Sequence, residues 1–359
     1  MYNSCIVVFP SVYSQNKLNI LKDNIRKILK IKNQKFTKII TDEKIIIIHA
    51  NDPVFASSSI CMLTGINKVA IARKVDNEFD VVVNEITRIT SDLLLNNEKF
   101  YIKVDKNNSK YISKDIEIAA TSSIIEKIKN RNIKPANENE CDKIIVSHLT
   151  KSNAYICIFV DDGVGGSPYN AQKTRILCCV YNEISFIICI KCIKAGFDVK
   201  IIACYQSYKD LIKTTKLVNK IISKVPKEKI ELEFFKLDRK MNSIDFILVS
   251  NIISVKIAQK NNIKWVQLPL PPNVVPMNVI DYIMKNIYKK KMNPVLSLHD
   301  LIINESLKKE IKKLTKLKIN KTIQNSIHEN IANKAFQNRK KIIVNNETYD
   351  MHKILDKLK

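Results

Sequence analysis

The sequence predicts an α+β N-terminal half followed by a doubly wound α/β domain. Three observations lead there. Apolar segments in the first 72 residues run strand, helix, strand, strand, helix, strand. Residues 175–268 then alternate strand and helix patterns, which implies a parallel sheet with crossover helices. Between the two lies Gly163-Val164-Gly165-Gly166-Ser167-Pro168, which holds three of only five glycines in 359 residues. A chain of this length ordinarily carries ~25 glycines, so a surviving cluster points to a backbone that needs them.

Ser4 to Phe9 reads as a strand. Lys17 to Ile31 reads as an amphipathic helix, with Leu18, Leu21, Ile25, Ile28 and Leu29 on one stripe. Strands at Lys38 to Ile40 and Lys44 to His49 flank a turn at Thr41-Asp42-Glu43. Asp52-Pro53 opens a second helix, since aspartate caps and proline suits the first turn. That helix closes near Thr64-Gly65, and Asn67 to Arg73 is the last strand. The order βαββαβ is that of a ferredoxin-like domain.

A small αβαββ unit follows. Asp80 to Leu95 is a helix, Phe100 to Val104 a strand, and Ser113 caps a helix reaching Arg131. Lys143 to Leu149 and Tyr155 to Val160 form a strand pair that ends in Asp161-Asp162 and the glycine cluster. Beyond it, strands read at Arg175 to Val180, Val199 to Ala203, Ile230 to Phe235, Phe246 to Val249 and Trp265 to Leu268. Helices lie between them at Ser185 to Ala195, Tyr208 to Val225 and Ile252 to Lys260. The last segment is polar and basic, with a helical pattern near Asn304 to Leu317.

Composition narrows the classes. The chain is 45% hydrophobic and 26% charged, as in soluble globular proteins. It has no apolar run of membrane-spanning length, and its first residues lack the basic segment of a secretory signal. Nine cysteines, mostly inside apolar runs, suit reduced thiols of a cytoplasmic protein. Net charge is +25, distributed as +5 over residues 1–167, +10 over 168–288 and +10 over 289–359. Such a field attracts polyanions, nucleic acid first among them, although a lysine-rich composition by itself also makes a surface basic.

The aspartate-ended strand, the turn Gly163-Val-Gly-Gly-Ser-Pro168 and the α/β region behind it resemble the tRNA 4-thiouridine sulfurtransferases. In that family a ferredoxin-like domain and a THUMP domain hold the acceptor end of tRNA, and a PP-loop domain adenylates the uridine. The THUMP-closing Gly-x-Gly-Gly-Leu-Pro is matched by Gly163, Gly165, Gly166 and Pro168, with Ser167 in place of leucine. The resemblance implies four segments: residues 1–73 ferredoxin-like, 74–170 THUMP, 171–290 a PP-loop-like (Rossmann-like) α/β domain, and 291–359 a basic C-terminal extension. It also implies RNA contact through Lys99, Lys103, Lys106, Lys110, Lys114, Lys127, Lys129 and Arg131, with Tyr101 and Tyr111 as candidate stacking surfaces, Tyr101 reading equally as a core residue. As a group on one αβ layer these cations would form a phosphate track, although any single one is more often a solvated charge.

The same resemblance exposes a departure. The PP-loop Ser-Gly-Gly-x-Asp-Ser lets backbone amides close around pyrophosphate at a helix N-terminus. Here the turn is Val180, Tyr181, Asn182, Glu183, Ile184, Ser185, with both glycines and the aspartate replaced. The expectation is a tRNA-binding protein without its own adenylation activity, requiring no cofactor and working beside an active tRNA-modifying enzyme. The alternative is an active ATP-dependent tRNA sulfurtransferase with an altered nucleotide site. A third possibility is an assembly protein whose basic surface meets an acidic protein.

Other chemistries find little support. Pro168 takes the third glycine position of a dinucleotide fingerprint, and no P-loop Lys-Ser/Thr follows the cluster. Five scattered histidines show no metal-ligand spacing. Cys189-Ile-Lys-Cys192 has redox spacing but sits on an apolar helix, where buried thiols are the simpler reading. Cys178 and Cys179 alternate across a strand and cannot share an ion. Pro269-Leu-Pro-Pro272 and Pro276 read as a stiff connector.

Overall fold

A computed structural model describes residues 4–106, 110–238, 241–270, 275, 277–296, 325–347 and 350–358. The chain divides into two compact units, Met1–Gly165 and Gly166–Lys359.

The first unit is built on one eight-stranded sheet. Its elements are β1 (Ser4–Pro10), α1 (Leu18–Ile31), β2 (Phe36–Asp42), β3 (Ile45–Ala50), α2 (Pro53–Cys61) and β4 (Ile66–Asp76), then α3 (Phe79–Leu93), β5 (Lys99–Lys106), α4 (Ser113–Lys127), β6 (Lys134–Pro135), β7 (Lys143–Leu149) and β8 (Asn153–Asp162). The strand order is β2-β3-β1-β4-β8-β7-β5-β6, so the ferredoxin-like and αβαββ segments share one continuous sheet through the antiparallel β4–β8 pair. Only the pairs made by β5 are parallel.

Alternation decides which side chains go where. Ile6, Val8, Ile46 and Ile48 face α1 and α2, while Phe100, Ile102, Val104 and Ile156 face α3 and α4. The opposite face, with Val7, Ile47, Ala70, Tyr155 and Cys157, is also buried. Curvature explains this. The Phe9 ring on β1 meets His148 on β7 edge-to-face at 5.2 Å, with β4 and β8 lying between those strands in the order. Three strand spacings in a flat sheet would hold them ~14 Å apart, so the sheet coils and encloses its own inner face. Asp42, at the end of β2, pins the coil. It accepts from the Tyr155 hydroxyl at 2.6 Å, from Asn153 Nδ2 at 2.9 Å and from Thr150 Oγ1 at 3.1 Å.

Burial lowers the pKa of His148 from its usual 6.5, against the opposing pull of Asp105, Glu43 and Asp42. The folded protein therefore binds this proton more weakly than the unfolded chain. Stability from His148 is complete above pH 6.5 and declines as pH falls through and below it. His49 is lowered as well, so it adds to the same slope. His148→Leu is expected to flatten unfolding free energy against pH below 6.5; an unchanged slope in urea titrations would refute this origin.

The second unit is a three-layer α/β sandwich. Its elements are β9 (Arg175–Val180), α5 (Glu183–Lys194), β10 (Asp198–Tyr205), α6 (Tyr208–Ile222), β11 (Lys229–Lys236), α7 (Ser243–Lys260), β12 (Trp265–Leu268), α8 (Met277–Lys289), β13 (Asn293–Leu296), α9 (Asn325–Gln337), β14 (Lys340–Asn345) and α10 (Met351–Asp356). The sheet order is β13-β12-β9-β10-β11-β14, parallel except for β14. Residues of α5, α6 and α10 pack on one face, and those of α7, α8 and α9 on the other.

Several expectations change here. Phe246 to Val249, expected as a strand, lies inside α7. Asn242 Oδ1 caps that helix through Ile244 N and Asp245 N, and most of its faces are buried. A helix apolar all round shows no polar stripe, so its apolar run imitates a buried strand. Ser113 is the first residue of α4 rather than its cap; Ile112 stands at that position without a side-chain bond. The C-terminal segment supplies α9, β14 and α10 to the second unit. Asn346 Nδ2 also donates to the Val225 carbonyl at 2.8 Å, just past the end of α6. The helix expected near 304–317 and most of the proline connector lie outside the described residues.

Candidate functional site

From β9 the chain builds outward through β10 and β11, then crosses to β12 and β13 on the other side. Ligands of open α/β sheets bind beyond the strand carboxyl ends near such a reversal. The turn Val180 to Ser185 stands there.

Three of its backbone donors, Tyr181 N, Asn182 N and Ser185 N, are engaged by side chains of the turn itself. Ser185 Oγ accepts from Tyr181 N and Asn182 N, both at 2.9 Å, and donates to the Asn182 carbonyl at 2.8 Å. Asn182 Oδ1 accepts from Ser185 N at 2.9 Å. Ile184 and Ser185 are buried, at 1% and 0% exposure. The next two helices repeat the arrangement. Ser207 and Asp210 form a reciprocal capping box at the start of α6, and Asn242 caps α7. Each of the three helices also carries a carboxylate in its first turn: Glu183, Asp210 and Asp245. Helix N-termini attract anions through unsatisfied amides and the dipole; here capping side chains take part of the amides and the first-turn acids offset the dipole.

A 240 Å³ pocket remains beside these caps, lined by Tyr181, Asn182, Cys204, Tyr205, Gln206, Asp210, Lys213, Ser243, Phe246 and Ile247. Tyr181 and Phe246 pack edge-to-face at 5.3 Å. Gln206 Nε2 is directed away, to the carbonyls of Asp238 and Met241. Tyr205, Gln206 and Lys213 did not emerge from the sequence. Position at the carboxyl end of β10 was the one legible signal for Tyr205 and Gln206, and Lys213, within α6, carried none.

The cysteines nearby are inert in character. As the alternation of β9 requires, Cys178 and Cys179 face opposite layers. Burial, then hydrogen bonding with Cys189 and Cys192, raises the Cys178 pKa well above its usual value. Hydrogen bonding to Cys204, whose sulfur is 3.6 Å away, and then burial do the same for Cys179. Such thiols are poor nucleophiles.

The glycine cluster proves to be a close-packing device. Gly163 N donates to Asn67 O and Gly165 N to Ile66 O, both at 2.7 Å. A Cβ on Gly163 would stand 2.3 Å from the Ile66 carbonyl oxygen, and one on Gly166 would stand 2.5 Å from that of Lys194. Ser167 N bonds the same Lys194 carbonyl at 2.6 Å. Pro168 follows, and Tyr169 inserts its hydroxyl against Asp198 at 2.5 Å.

Seven of the eight candidate cations of the first unit fall at two ends of one αβ layer, and Lys103 lies midway along β5. Lys99, Lys127, Lys129 and Arg131 lie where β5 begins and α4 ends; Lys106, Lys110 and Lys114 lie where β5 ends and α4 begins. Seven residue steps of β5 separate the ends, ~23 Å. Arg131 is engaged internally, donating to the carbonyls of Ser91 and Leu94 at 2.7 and 2.8 Å. Lys103 pairs with Glu138 at 2.8 Å and Lys114 with Glu117 at 3.3 Å. Lys106 donates to the Tyr111 carbonyl, and Lys110 lies over the Tyr111 ring. Tyr111 itself packs on Phe79, and Tyr101 is half-buried beside the groove between β5 and α4. No described helix is long and apolar enough to cross a membrane.

No protein-family model matches the chain, and no curated protein does. Solved structures do. PH1313 from Pyrococcus horikoshii superposes with a TM-score of 0.63 at 19% identity, covering 88% of this chain and 100% of that one. A 4-thiouridine synthetase, solved as an RNA complex with bound ATP, superposes with a TM-score of 0.60 at 12% identity, covering 95% and 99%. The chain has the fold of a 4-thiouridine synthetase. At these identities the likeness extends to the fold and its arrangement of elements.

Proposed function

We propose that this protein binds tRNA, engaging its acceptor end through the ferredoxin-like and THUMP-like segments, and acts as an RNA-binding or accessory factor in tRNA modification without adenylating RNA itself. The observation that carries the second half is the turn at residues 180–185, where side chains of Asn182 and Ser185 take the amides of Tyr181, Asn182 and Ser185 and both glycines of a PP-loop are replaced by residues with a Cβ. Supporting the first half are the fold, the RNA held by the 4-thiouridine synthetase of known structure, and a net charge of +25. The PP-loop-like turn is, on this reading, degenerate, and no cofactor is required.

The pocket beside the turn favours a second reading, an active ATP-dependent sulfurtransferase with an altered nucleotide site. The two separate in one set of measurements. Filter retention of tRNA is expected to weaken steeply as salt rises and to drop when the single-stranded 3′ end is removed. ATP–pyrophosphate exchange is expected to be absent with and without tRNA. Exchange that disappears in Ser185→Ala would establish the second reading, and failure to retain tRNA at low salt would remove both.

A further inference from the structure

In the second unit, α7 and α8 leave a cleft of 160 Å³ between them. Its floor is apolar: Leu248 and Val255 from α7, Ile283 and Ile287 from α8, all buried. Carboxamides stand on both walls, Gln259 on α7 and Asn286 on α8, with the Tyr282 ring beside them. Cations stand on both walls too, Lys256 and Lys290. The α8 wall then runs into Lys289, Lys290 and Lys291, all exposed, whose ammonium groups engage no partner among the described residues. Glu329 of α9 reaches the same cleft, and Lys256 neutralises it at 2.5 Å.

These features meet in one ligand chemistry. An apolar slot accepts the faces of a planar base, carboxamides hydrogen-bond its edge, and the lysines at the end of α8 hold the adjoining phosphates. We infer that the α7–α8 cleft is a second RNA site, taking an unstacked base of a single-stranded segment with its backbone along Lys289, Lys290 and Lys291. None of the residues of the turn at 180–185 lines the cleft, and all its lining residues belong to the second unit. The inference shares with the proposed function only the identity of the polymer. Lysines at a helix C-terminus also complement the helix dipole, but that role needs neither the slot nor its amides.

The test uses the full chain and a short labelled single-stranded RNA of mixed sequence, followed by fluorescence anisotropy across salt concentrations. Replacing Lys289, Lys290 and Lys291 together by alanine is expected to weaken binding about tenfold near 0.1 M salt. It should also reduce the slope of log K against log salt by about 2, since each phosphate contact on a single strand contributes about 0.7. Asn286→Leu keeps the charge and is expected to lower affinity several-fold with the slope unchanged, a change that dipole compensation alone would not produce. Wild-type affinity in either variant would overturn the inference. If tRNA binds and neither variant matters, the proposed function stands and this site falls. If single-stranded RNA binds through the cleft while tRNA is not retained, this site stands and the proposed function falls.

Discussion

Gly163→Ala and Gly166→Ala are each expected to destabilise the protein by about 3 kcal/mol, at the upper end of overpacking changes. At Gly163 the obstacle is a backbone carbonyl, Ile66 O, 2.3 Å from the new methyl, so no flexible side chain can yield. Relief would require separating residues 163–165 from the start of β4, where Gly163 N and Gly165 N make their 2.7 Å bonds. At Gly166 two costs combine. The residue has φ +76, and its Cβ would press on the Lys194 carbonyl at 2.5 Å. A left-handed conformation alone costs an alanine roughly 1–2 kcal/mol. Gly165 is the internal control: its φ is +72 but nothing lies within 4 Å of a Cβ. Gly165→Ala should therefore show only the conformational part, about 1 kcal/mol. Urea unfolding of the three variants checks the order. Equal losses at positions 163 and 165 would mean that close approach does not explain the cluster.

Glu233→Ala is expected to cost about 3 kcal/mol, within the range for removing one member of a buried ion pair. Glu233 on β11 is 3% exposed and lies 3.1 Å from Lys200 of β10, itself 8% exposed, and 3.2 Å from Arg339. Alanine would leave Lys200 with Glu231 alone, at 2.9 Å, and Arg339 without its carboxylate. Arg339 precedes β14, the strand that completes the sheet edge, and Lys341 within it pairs with Glu231. Local opening should accompany the global loss, seen as faster proteolysis within residues 339–345. Glu233→Gln keeps the shape and part of the hydrogen bonding and should cost less. A loss below about 1 kcal/mol for Glu233→Ala would mean that water already compensates these charges.

Much of the site was legible because it was local. Asp52 and Pro53 announce α2, and Asp52 Oδ1 does accept from Val54 N and Phe55 N at 3.1 Å. The replacement of the PP-loop pattern at Tyr181, Asn182 and Ile184 was visible in the letters, and so was the opposite facing of Cys178 and Cys179. Other features were hidden. That Ser185 Oγ would accept from the Tyr181 and Asn182 amides depends on a rotamer and two backbone directions. The cleft between α7 and α8 joins helices that the sequence either mistook in part for a strand or did not register.

What the sequence determined on its own is what a short window can hold: the type of most elements, the side each residue faces, and the one stretch where the backbone needs glycine. The tertiary structure decided what depends on distant partners. Asp42 and Tyr155 meet across 113 positions, Glu233 and Arg339 across 106, and Asn346 reaches Val225 across 121. Periodicity records how a residue sits on its own helix or strand and carries no signal for which remote side chain will satisfy it. The coil of the first sheet, the place of the C-terminal strand and the occupied helix ends therefore became visible only once the chain was folded.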